Sequence, residues 1–570
     1  MISKIFKKIT RYFCSDLKQD WMVILFFIFI PVFFVLLFLD SIYANVGFVI
    51  THSLDEYVFH GILLHMFSAF ESYNVKTLFG TGFYQYGFIF FFINLIVVIP
   101  FFITGHSAVA IFIPRMITSF FAVLSLVYLY KIVCLYLKRL PAMVVVIFLL
   151  FMPAFWVNAT WFHPDWMMTA FLLMAIYFLF KDKYNFSDNY WLSIFFYALA
   201  VTTKYQILTF SPILLVYVFY SQISELQLAG ISKSLKKLLI ALLIICAVFF
   251  LTNPYLFHPK GARLFVGSLV SNLESNVTNH GGGQILNLKD KVHFAISEFY
   301  MNYIFLLLLV VTSLFCLYNY LRTRQEFIFF VLAIAFIINL VYLLFGVNKA
   351  WNHYYLPVVC VGVILISLPL KRLKYSYQLS LLLLLTFIQV LFNINKIPYY
   401  FDLRHDYQAQ FIDYGSAGDY TQDQQREISD FIINTISEKV SAQSNILISV
   451  YTGFDYEKLN LKYSQLNLLW GPLSEAQISK SALMSSYLLA NPAASAAEVD
   501  KIGMSFVVKD FIILKKNERF INIGILDSLN IEDKKPYLEA NQLLDKIIKG
   551  NIGYRLIGED KYVYIFQKKL

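Results

Sequence analysis

The sequence predicts an all-α polytopic membrane protein that ends in a smaller external α/β domain. Of its 570 residues, 59% are hydrophobic and 14% are charged, and Phe contributes 58 side chains. Apolar runs of about 15 to 25 residues recur along the chain and match a bilayer core about 30 Å thick. From Asn395 onward these runs disappear, and Asp, Gln, Lys and Ser become frequent. We therefore predict a membrane domain over 1–395 and a soluble external domain over 396–570.

The membrane domain is predicted to contain about 11–13 membrane helices. The first apolar run, 21–39, is too long for the apolar region of a signal peptide and is expected to stay as an anchor. The predicted spans are 21–39, 113–136, 140–158, 166–180, 190–203, 205–221, 238–253, 300–320, 326–346, 354–369 and 376–394.

The further apolar run 86–104 decides the topology. If it crosses the membrane and the lysine-rich N-terminus is cytoplasmic, every later basic cluster falls outside, against the positive-inside rule. If it lies in the outer leaflet, those clusters return to the cytoplasmic side. We predict an outer-face membrane helix; the alternative is an ordinary twelfth span, with one of the other predicted spans in error. The net charge of +10 then reflects topology rather than nucleic-acid binding. The clusters are Lys138/Arg139, Lys181/Lys183, Lys233/Lys236/Lys237, Arg322/Arg324 and Lys371/Arg372/Lys374.

This topology places four loops on the outer face, and they carry acidic, basic and cationic side chains. Asp55 and Glu56 are adjacent in the first loop. A carboxylate pair at a bilayer surface is costly to desolvate, which makes it a candidate for a catalytic base or an ion site. The loops are 40–112, 159–165, 254–299 and 347–353.

The polar tail contains short apolar or alternating segments that predict strands at 445–451, 504–509 and 562–566. Helices are predicted at 422–440 and 537–549. None of the five cysteines lies in this tail, and their spacing fits no metal site. A small α/β domain without disulfides is the prediction.

The order of several outer-face motifs resembles the polyprenyl-phosphate-sugar-dependent glycosyltransferases of the GT-C class, over about residues 20–395. The protein O-mannosyltransferase and aminoarabinose lipid A transferase branches look most similar. The motifs are an Asp55-Glu56 pair, Tyr84-Gln-Tyr86, Pro114-Arg115, Pro164-Asp165 and Thr202-Thr-Lys204.

The resemblance implies a role for each acidic residue. Asp55 would be the catalytic base, and Glu56 would orient the acceptor or Asp55 itself. The alternative is that both residues stabilise the N-terminus of the helix beginning near Tyr57. Asp165 is either a site residue or a helix cap. The family pattern has arginine where this chain has His163, which is neutral at its unperturbed pKa and would hydrogen-bond a hydroxyl.

Lys204, Arg115 and Lys349 are the candidates for binding the donor phosphate. Lys204 matches the Thr-Lys pattern of the family and follows a short span, so its ammonium should lie near the outer interface; a plain interfacial lysine is the alternative. A guanidinium at Arg115 suits bidentate phosphate contact. Lys349 would supply the charge of an arginine that the family carries near its Tyr-Leu-Pro run.

Tyr84, Tyr86, His258 and His353 complete the candidate site. His353 lies in a run of interfacial aromatics, which also have a bland anchoring role. The loop after His258 contains Gly281–Gly283, which predict a flexible hinge rather than a phosphate nest. The resemblance to bacterial members of the class, whose similar His-Pro and Gly-rich loop covers the active site, implies a closing lid. We predict no obligatory cofactor or metal, while two histidines in this loop leave room for a divalent ion.

These observations predict an inverting membrane glycosyltransferase. It would move a sugar from a polyprenyl-phosphate donor to a hydroxyl or phosphate of a lipid, glycan or protein acceptor on the outer face. The composition is typical of an AT-rich bacterial genome, which favours the inner membrane with a periplasmic site. The alternatives are a transporter or flippase of lipid-linked sugars and a binding or assembly subunit. Against transport, the spans show no inverted repeat and almost no charge at mid-membrane depth.

Overall fold

A computed structural model of the chain confirms the predicted fold class: apolar helices followed by a small mixed sheet with helices. The structure describes residues 21–41, 54–80, 84–220, 231–278, 287–297, 299–300, 303–393, 422–449, 452–461, 465–469, 509–516, 531–550 and 553–569.

The chain divides into two compact units. Unit 1 contains residues 1–37, 79–97 and 113–401, and unit 2 contains 38–78, 98–112 and 402–570. Most of the apolar helices belong to unit 1, and the sheet belongs to unit 2. The domain boundary near residue 395 stays a prediction.

The predicted apolar runs coincide with helices. Within unit 1, α8 packs against α9, α9 against α11, α14 against α15, and α6 against α17. The helices up to residue 393 are α1 (Trp21–Ser41), α2 (Leu54–Glu71), α3 (Val75–Gly80), α4 (Phe88–Ile103), α5 (Ser107–Val133), α6 (Arg139–Leu150), α7 (Pro153–Ala159), α8 (Asp165–Asp182), α9 (Asp188–Thr203), α10 (Ser211–Val218), α11 (Ile231–Thr252), α12 (Pro259–Thr278), α13 (Leu288–Val292), α14 (Tyr303–Thr323), α15 (Phe327–Val341), α16 (Leu356–Lys371) and α17 (Tyr375–Asn393). Short 3-10 turns span Tyr205–Phe210, Pro254–Phe257 and Asn352–Tyr355, and π turns span His293–Ser297 and Tyr342–Gly346.

The run 140–158, predicted as one span, is broken into α6 and α7, whose axes differ by 71°. Pro153 opens α7, and Met152 before it is extended at φ −87° and ψ 125°. Proline lacks an amide hydrogen and disfavours helical geometry in the preceding residue, which accounts for the break. The bend allows α7 to end in the loop that carries the predicted site residues.

The number of spans stays a prediction. In the described part of the chain, six helices are long and apolar enough to cross a membrane, or seven if the bent pair counts as one span. Helix α4 contains 16 residues. At about 1.5 Å per residue it reaches about 24 Å, less than a bilayer core of about 30 Å. Its length therefore agrees with an outer-face helix, and the placement of α4 in the outer leaflet stays a prediction.

The tail folds around a five-stranded sheet of order β2-β1-β3-β5-β4. β1 pairs in parallel with β2 and β3, and β5 pairs antiparallel with β3 and β4. Alternate residues of β1 and β3 face opposite sides, so that Ile446 packs with α18 and Leu447 with α19. The result is a sheet with a helix on each face. The elements are β1 (Ile446–Ser449), β2 (Leu466–Leu469), β3 (Phe511–Lys515), β4 (Tyr554–Glu559), β5 (Val563–Lys568), α18 (Gln422–Ile436) and α19 (Ile531–Ile548).

Some of the helices and strands predicted for the tail are present in the structure, and others were missed. Both helices and the strands predicted at 445–451 and 562–566 have counterparts in α18, α19, β1 and β5. The strand predicted at 504–509 falls almost wholly outside the described residues, and the strand that follows is β3. Strands β2 and β4 were not predicted.

Candidate functional site

The site is built where the segment before α4 meets the end of α9. Tyr86 and Lys204 form an antiparallel backbone bridge, and the amide of Gly87 donates to the carbonyl of Thr203 at 3.0 Å. A Cβ atom on Gly87 would lie 1.3 Å from the carbonyl oxygen of Thr202. Only glycine permits this close approach, which fixes the Tyr86 ring beside Lys204.

Lys204 is the central cation of the site. It is 6% exposed, and its Nζ donates to Asp165 Oδ1 at 2.8 Å. The ammonium also lies over the rings of Tyr86 and Tyr354, at 5.3 and 4.8 Å from their centroids. These contacts stabilise a charge that burial alone would disfavour. An ammonium carries three donors, so the bond to Asp165 leaves others for a ligand.

Asp165 is the first residue of α8 and is buried. Its carboxylate contacts two side chains: Lys204 through Oδ1, and His163 Nδ1 through Oδ2. Pro164 occupies the N-cap position, and no side-chain hydrogen bond caps the helix. The carboxylate thus orients a lysine and a histidine, and the role of Asp165 in the reaction stays a prediction.

His163 links the carboxylate to an aromatic wall. Its ring stacks on Trp161 at a centroid distance of 4.7 Å, and its Nε2 is 3.4 Å from the Tyr86 hydroxyl. Helix α5 holds this loop, because Thr118 Oγ1 donates to the carbonyl of His163 and Ser119 Oγ donates to that of Ala159.

His353 comes to the same place from a distant part of the sequence. It is 1% exposed, and its ring centroid is 4.9 Å from that of His163. Asn158 Nδ2 donates to Asn352 Oδ1 at 2.7 Å, and Gln206 Nε2 donates to the carbonyl of Tyr354 at 2.8 Å. These bonds fix the turn that presents the imidazole.

Lys349 precedes this turn and is also buried. Its Nζ donates to Ser275 Oγ at 2.9 Å and lies 4.5 Å from the Trp351 ring centroid. Ser275 belongs to α12, and sequence reasoning missed it because a serine on a helix gives no signal of its own.

The other basic and aromatic candidates take different positions. Arg115 is buried in α5, one turn before Ser119. Tyr84 is buried, donates to the carbonyl of Gly80 at 3.0 Å and packs edge-on against Tyr255. His258 is exposed, and its Nδ1 accepts from the amide of Lys260 at the start of α12. The structure therefore brings Asp165, Lys204, His163, Tyr86 and His353 together.

Asp55 and Glu56 lie in the first turn of α2, in unit 2, whereas the cluster around Lys204 lies in unit 1. Asp55 is half-buried and Glu56 is buried. Their place at a helix start agrees with the predicted cap, and their catalytic roles stay predictions. The glycine-rich segment predicted as a hinge or lid, 281–283, lies outside the described residues.

A metal could use part of the cluster. His163, Asp165 and His353 each offer one ligand atom, and these atoms lie within 4.8 Å of one another. That no cofactor is obligatory stays a prediction, and these residues are compatible with a divalent ion.

Comparison with known proteins gives one family match. Residues 88–251 match the family described as dolichyl-phosphate-mannose-protein mannosyltransferase. No curated protein matches the chain.

Among solved structures, ArnT from Cupriavidus metallidurans bound to undecaprenyl phosphate matches with a TM-score of 0.53 and 10% identity, covering 95% of this chain and 97% of that chain. The apo state of ArnT gives a TM-score of 0.48 at 11% identity, covering 92% and 93%. The Archaeoglobus fulgidus oligosaccharyltransferase tethered with an acceptor peptide gives 0.43 at 12% identity, covering 77% and 62%.

The match to ArnT shows the fold, and the family match adds a sequence pattern that includes the segment from α4 to Lys204. Several apolar helices agree with a multi-pass membrane protein. The expected resemblance is confirmed. The chain therefore has the fold of ArnT, and its residues 88–251 are similar to the mannosyltransferase family, as the predicted resemblance to GT-C glycosyltransferases requires.

Proposed function

We propose that this protein transfers a sugar from a polyprenyl-phosphate donor to a lipid, glycan or protein acceptor on the outer face of the bacterial inner membrane, with inversion at the anomeric carbon. The observation that carries the proposal is the buried Lys204–Asp165 ion pair with its aromatic surroundings. The family described for residues 88–251 acts with dolichyl-phosphate-mannose, and ArnT was crystallised with undecaprenyl phosphate. Both descriptions support a polyprenyl-phosphate donor.

The chemistry requires one base and one or more cations. Asp55 accepts the proton of the acceptor hydroxyl, whose oxygen forms a bond to the anomeric carbon. The bond from that carbon to the phosphate oxygen breaks, and the polyprenyl phosphate leaves with the electron pair. A single displacement without an enzyme nucleophile inverts the anomeric centre. Lys204 stabilises the departing phosphate, and Lys349 and Arg115 are further candidates for that role.

The cluster around Lys204 supports these roles, with Asp55 as the base and Lys204 as the phosphate contact. Asp165 is already engaged by Lys204 and His163, which makes it a positioning residue rather than a free base. Its bond to Lys204 fixes one direction of the ammonium and leaves donors for a phosphate oxygen. The rings of Trp161, Tyr86 and Tyr354 provide apolar faces against which a sugar can pack.

The first experiment tests the base. Membranes containing the full-length protein receive undecaprenyl-phosphate-linked hexoses and pentoses, and labelled products are measured. Asp55→Asn should abolish transfer and leave binding of undecaprenyl phosphate unchanged. Asp188→Asn makes the same substitution in the first turn of another helix, and should leave transfer normal. Near-normal turnover of Asp55→Asn would reject the base, and a product that keeps the anomeric configuration of the donor would reject inversion.

The second experiment tests the phosphate contact. Lys204→Met keeps most of the length of the side chain and removes the charge, so it should weaken binding of undecaprenyl phosphate by about tenfold or more. Binding is measured with the purified protein in nanodiscs. Unchanged affinity would reject the contact. In proteoliposomes, movement of the donor across the bilayer without its consumption would instead favour a flippase.

A further inference from the structure

The starting observation is a buried imidazole without hydrogen bonds. His353 is 1% exposed, and within the described residues neither of its ring nitrogens has a hydrogen-bond partner. Three of its neighbours are aromatic rings, whose centroids lie 5.5 Å away for Trp161, 5.5 Å for Trp351 and 4.8 Å for Tyr354. Buried polar groups in folded proteins are nearly always hydrogen-bonded. This imidazole is therefore a candidate for a partner that the described part of the chain does not supply.

One nitrogen of the imidazole lies near the carboxylate of Asp165. That nitrogen and one carboxylate oxygen are within 4.8 Å of each other. They make no direct hydrogen bond, since both nitrogens of His353 lack a partner among the described residues. Two hydrogen bonds to a single bridging oxygen span up to about 5.6 Å. One oxygen atom between the two residues therefore completes both of them.

The two side chains determine what kind of group can form this bridge. A carboxylate only accepts hydrogen bonds, whereas a neutral imidazole has one donor nitrogen and one acceptor nitrogen. A hydroxyl fits both partners, because its hydrogen is donated to Asp165 while its oxygen accepts from the N–H of His353. The short span has room for one oxygen atom, which excludes a larger substituent such as an acetamido group.

The position beside Lys204 indicates which hydroxyl this is. Asp165 Oδ1 accepts from Lys204 Nζ at 2.8 Å, and the proposed function places the donor phosphate at the same ammonium. The phosphate is attached to the anomeric carbon, and in an aldose the nearest hydroxyl is on the adjacent carbon, C2. In glycoside hydrolysis, hydrogen bonds to this hydroxyl strengthen in the transition state. A contact here thus acts on rate as well as on binding.

We propose that His353 and Asp165 together bind the C2 hydroxyl of the donor sugar, and that His353 is a specificity-determining residue which selects aldoses with a free hydroxyl at C2. The proposal rests on the proposed function for the place of the phosphate. A 2-deoxy sugar leaves the imidazole unpaired, and a site built to bond a substrate hydroxyl rejects an analogue that lacks it. A 2-acetamido sugar does not fit the space.

The first test compares donors that differ only at C2. Membranes containing the full-length protein receive undecaprenyl-phosphate-linked glucose, mannose or arabinose, and the 2-deoxy counterparts of these sugars. For any sugar that is transferred, kcat/KM of the 2-deoxy counterpart should be about a hundredfold lower. Equal values in the wild-type protein would show that water alone fills the gap, and would overturn the proposal.

Variants of His353 assign the preference to its nitrogens. His353→Phe keeps a ring and removes both nitrogens, so it should largely remove the preference by lowering kcat/KM of the hydroxyl-bearing donor. His353→Gln supplies an amide that can donate, and should recover part of the preference. His106→Phe makes the same change at an exposed histidine before α5 and should keep the full preference. A preference that survives His353→Phe would overturn the proposal.

Binding gives a readout that does not require turnover. Purified protein in nanodiscs is titrated with the same donors, and the thermal midpoint reports folding. The wild-type protein should bind a hydroxyl-bearing donor about tenfold more tightly than its 2-deoxy counterpart, and His353→Phe should bind the two equally. His353→Leu serves if the larger ring of phenylalanine does not fit.

The two readouts separate this proposal from the proposed function. Where transfer occurs, kcat/KM decides: transfer without a preference at C2 leaves the proposed function standing and overturns the hydroxyl contact. Where no donor is transferred, binding decides. A binding preference that depends on His353 then keeps the hydroxyl contact while the proposed function fails, and binding without a preference overturns the contact as well.

Discussion

Two buried lysines, one in each unit, differ in the partners that the fold provides for their side-chain nitrogen. Lys204 is 6% exposed, donates to Asp165 and lies over two tyrosine rings. Lys509, next to strand β3, is 0% exposed, and its Nζ has no hydrogen-bond partner in the part of the chain that the structure describes. Burial lowers the pKa of Lys509 to about 8.

The difference is between a lysine whose charge is stabilised by described partners and a lysine whose charge is disfavoured by burial. A buried ammonium with a carboxylate and aromatic faces keeps its charge, and a ligand can exploit it. A buried ammonium without such partners is destabilised by desolvation, which favours the neutral amine. Burial of a lysine is therefore weak evidence of function, and its partners carry the argument.

The largest effect is expected from removing the partner of Lys204. Asp165→Asn leaves a buried ammonium without its counter-charge, which costs about 3–5 kcal/mol. We expect a lower thermal midpoint of the purified protein and loss of transfer. The exposed Asp188→Asn is the control.

The double variant Asp165→Asn with Lys204→Met sharpens the comparison. Because both charges are removed, part of the lost stability should return, although transfer should not. A double variant less stable than Asp165→Asn would contradict the pairing.

An effect of opposite sign is expected at Lys509. Its pKa falls from 10.5 to about 8 on folding. Lys509→Met should therefore stabilise the tail at pH 7 by about 2–3 kcal/mol. In the wild-type protein the unfolded state binds more protons between about pH 8 and 10.5, so stability rises with pH over that window and the advantage of the variant shrinks.

Hydrogen exchange of the β3 and β5 amides in the full-length protein, corrected for the intrinsic effect of pH, measures this change. Lys568→Met changes an exposed lysine of the same sheet and should bring no gain. A Lys509→Met variant without added stability at pH 7 would show that the amine has a partner in solution.

The smallest effect concerns the aromatic face over Lys204. Tyr86→Leu removes a ring 5.3 Å from the ammonium and should weaken binding of undecaprenyl phosphate by about 1–2 kcal/mol. Tyr86→Phe keeps the ring and loses the hydroxyl contact with His163, so it should cost less than about 1 kcal/mol. Equal effects of the two variants would assign the role of Tyr86 to its hydroxyl group.

The sequence predicted the helices well because length and hydropathy are local properties. It missed the break at Pro153, since the apolar run continues through it. In the tail, β4 was missed because it has a mixed pattern with several exposed residues, unlike the fully buried β1 and β3.

The site could be predicted only in part. Lys204 and Asp165 were candidates through their place in an ordered set of motifs, but no spacing in the sequence predicts that they form an ion pair. His353 was a candidate beside interfacial aromatics, and its approach to His163 depends on a hydrogen bond between Asn158 of α7 and Asn352 of a distant turn. Contacts between residues that are far apart in the sequence produce no periodic pattern, so a single sequence does not predict them.

The close approach at Gly87 connects the start of the apolar helix α4 directly to the backbone that carries Lys204. The amide of Gly87 bonds to the residue before Lys204, and the next amide, of Phe88, bonds to Asn253 Oδ1 at 3.0 Å. A displacement of α4 is therefore passed on to the backbone that presents Lys204. We expect activity to vary with the acyl-chain length of the surrounding lipid even when donor and acceptor are saturating.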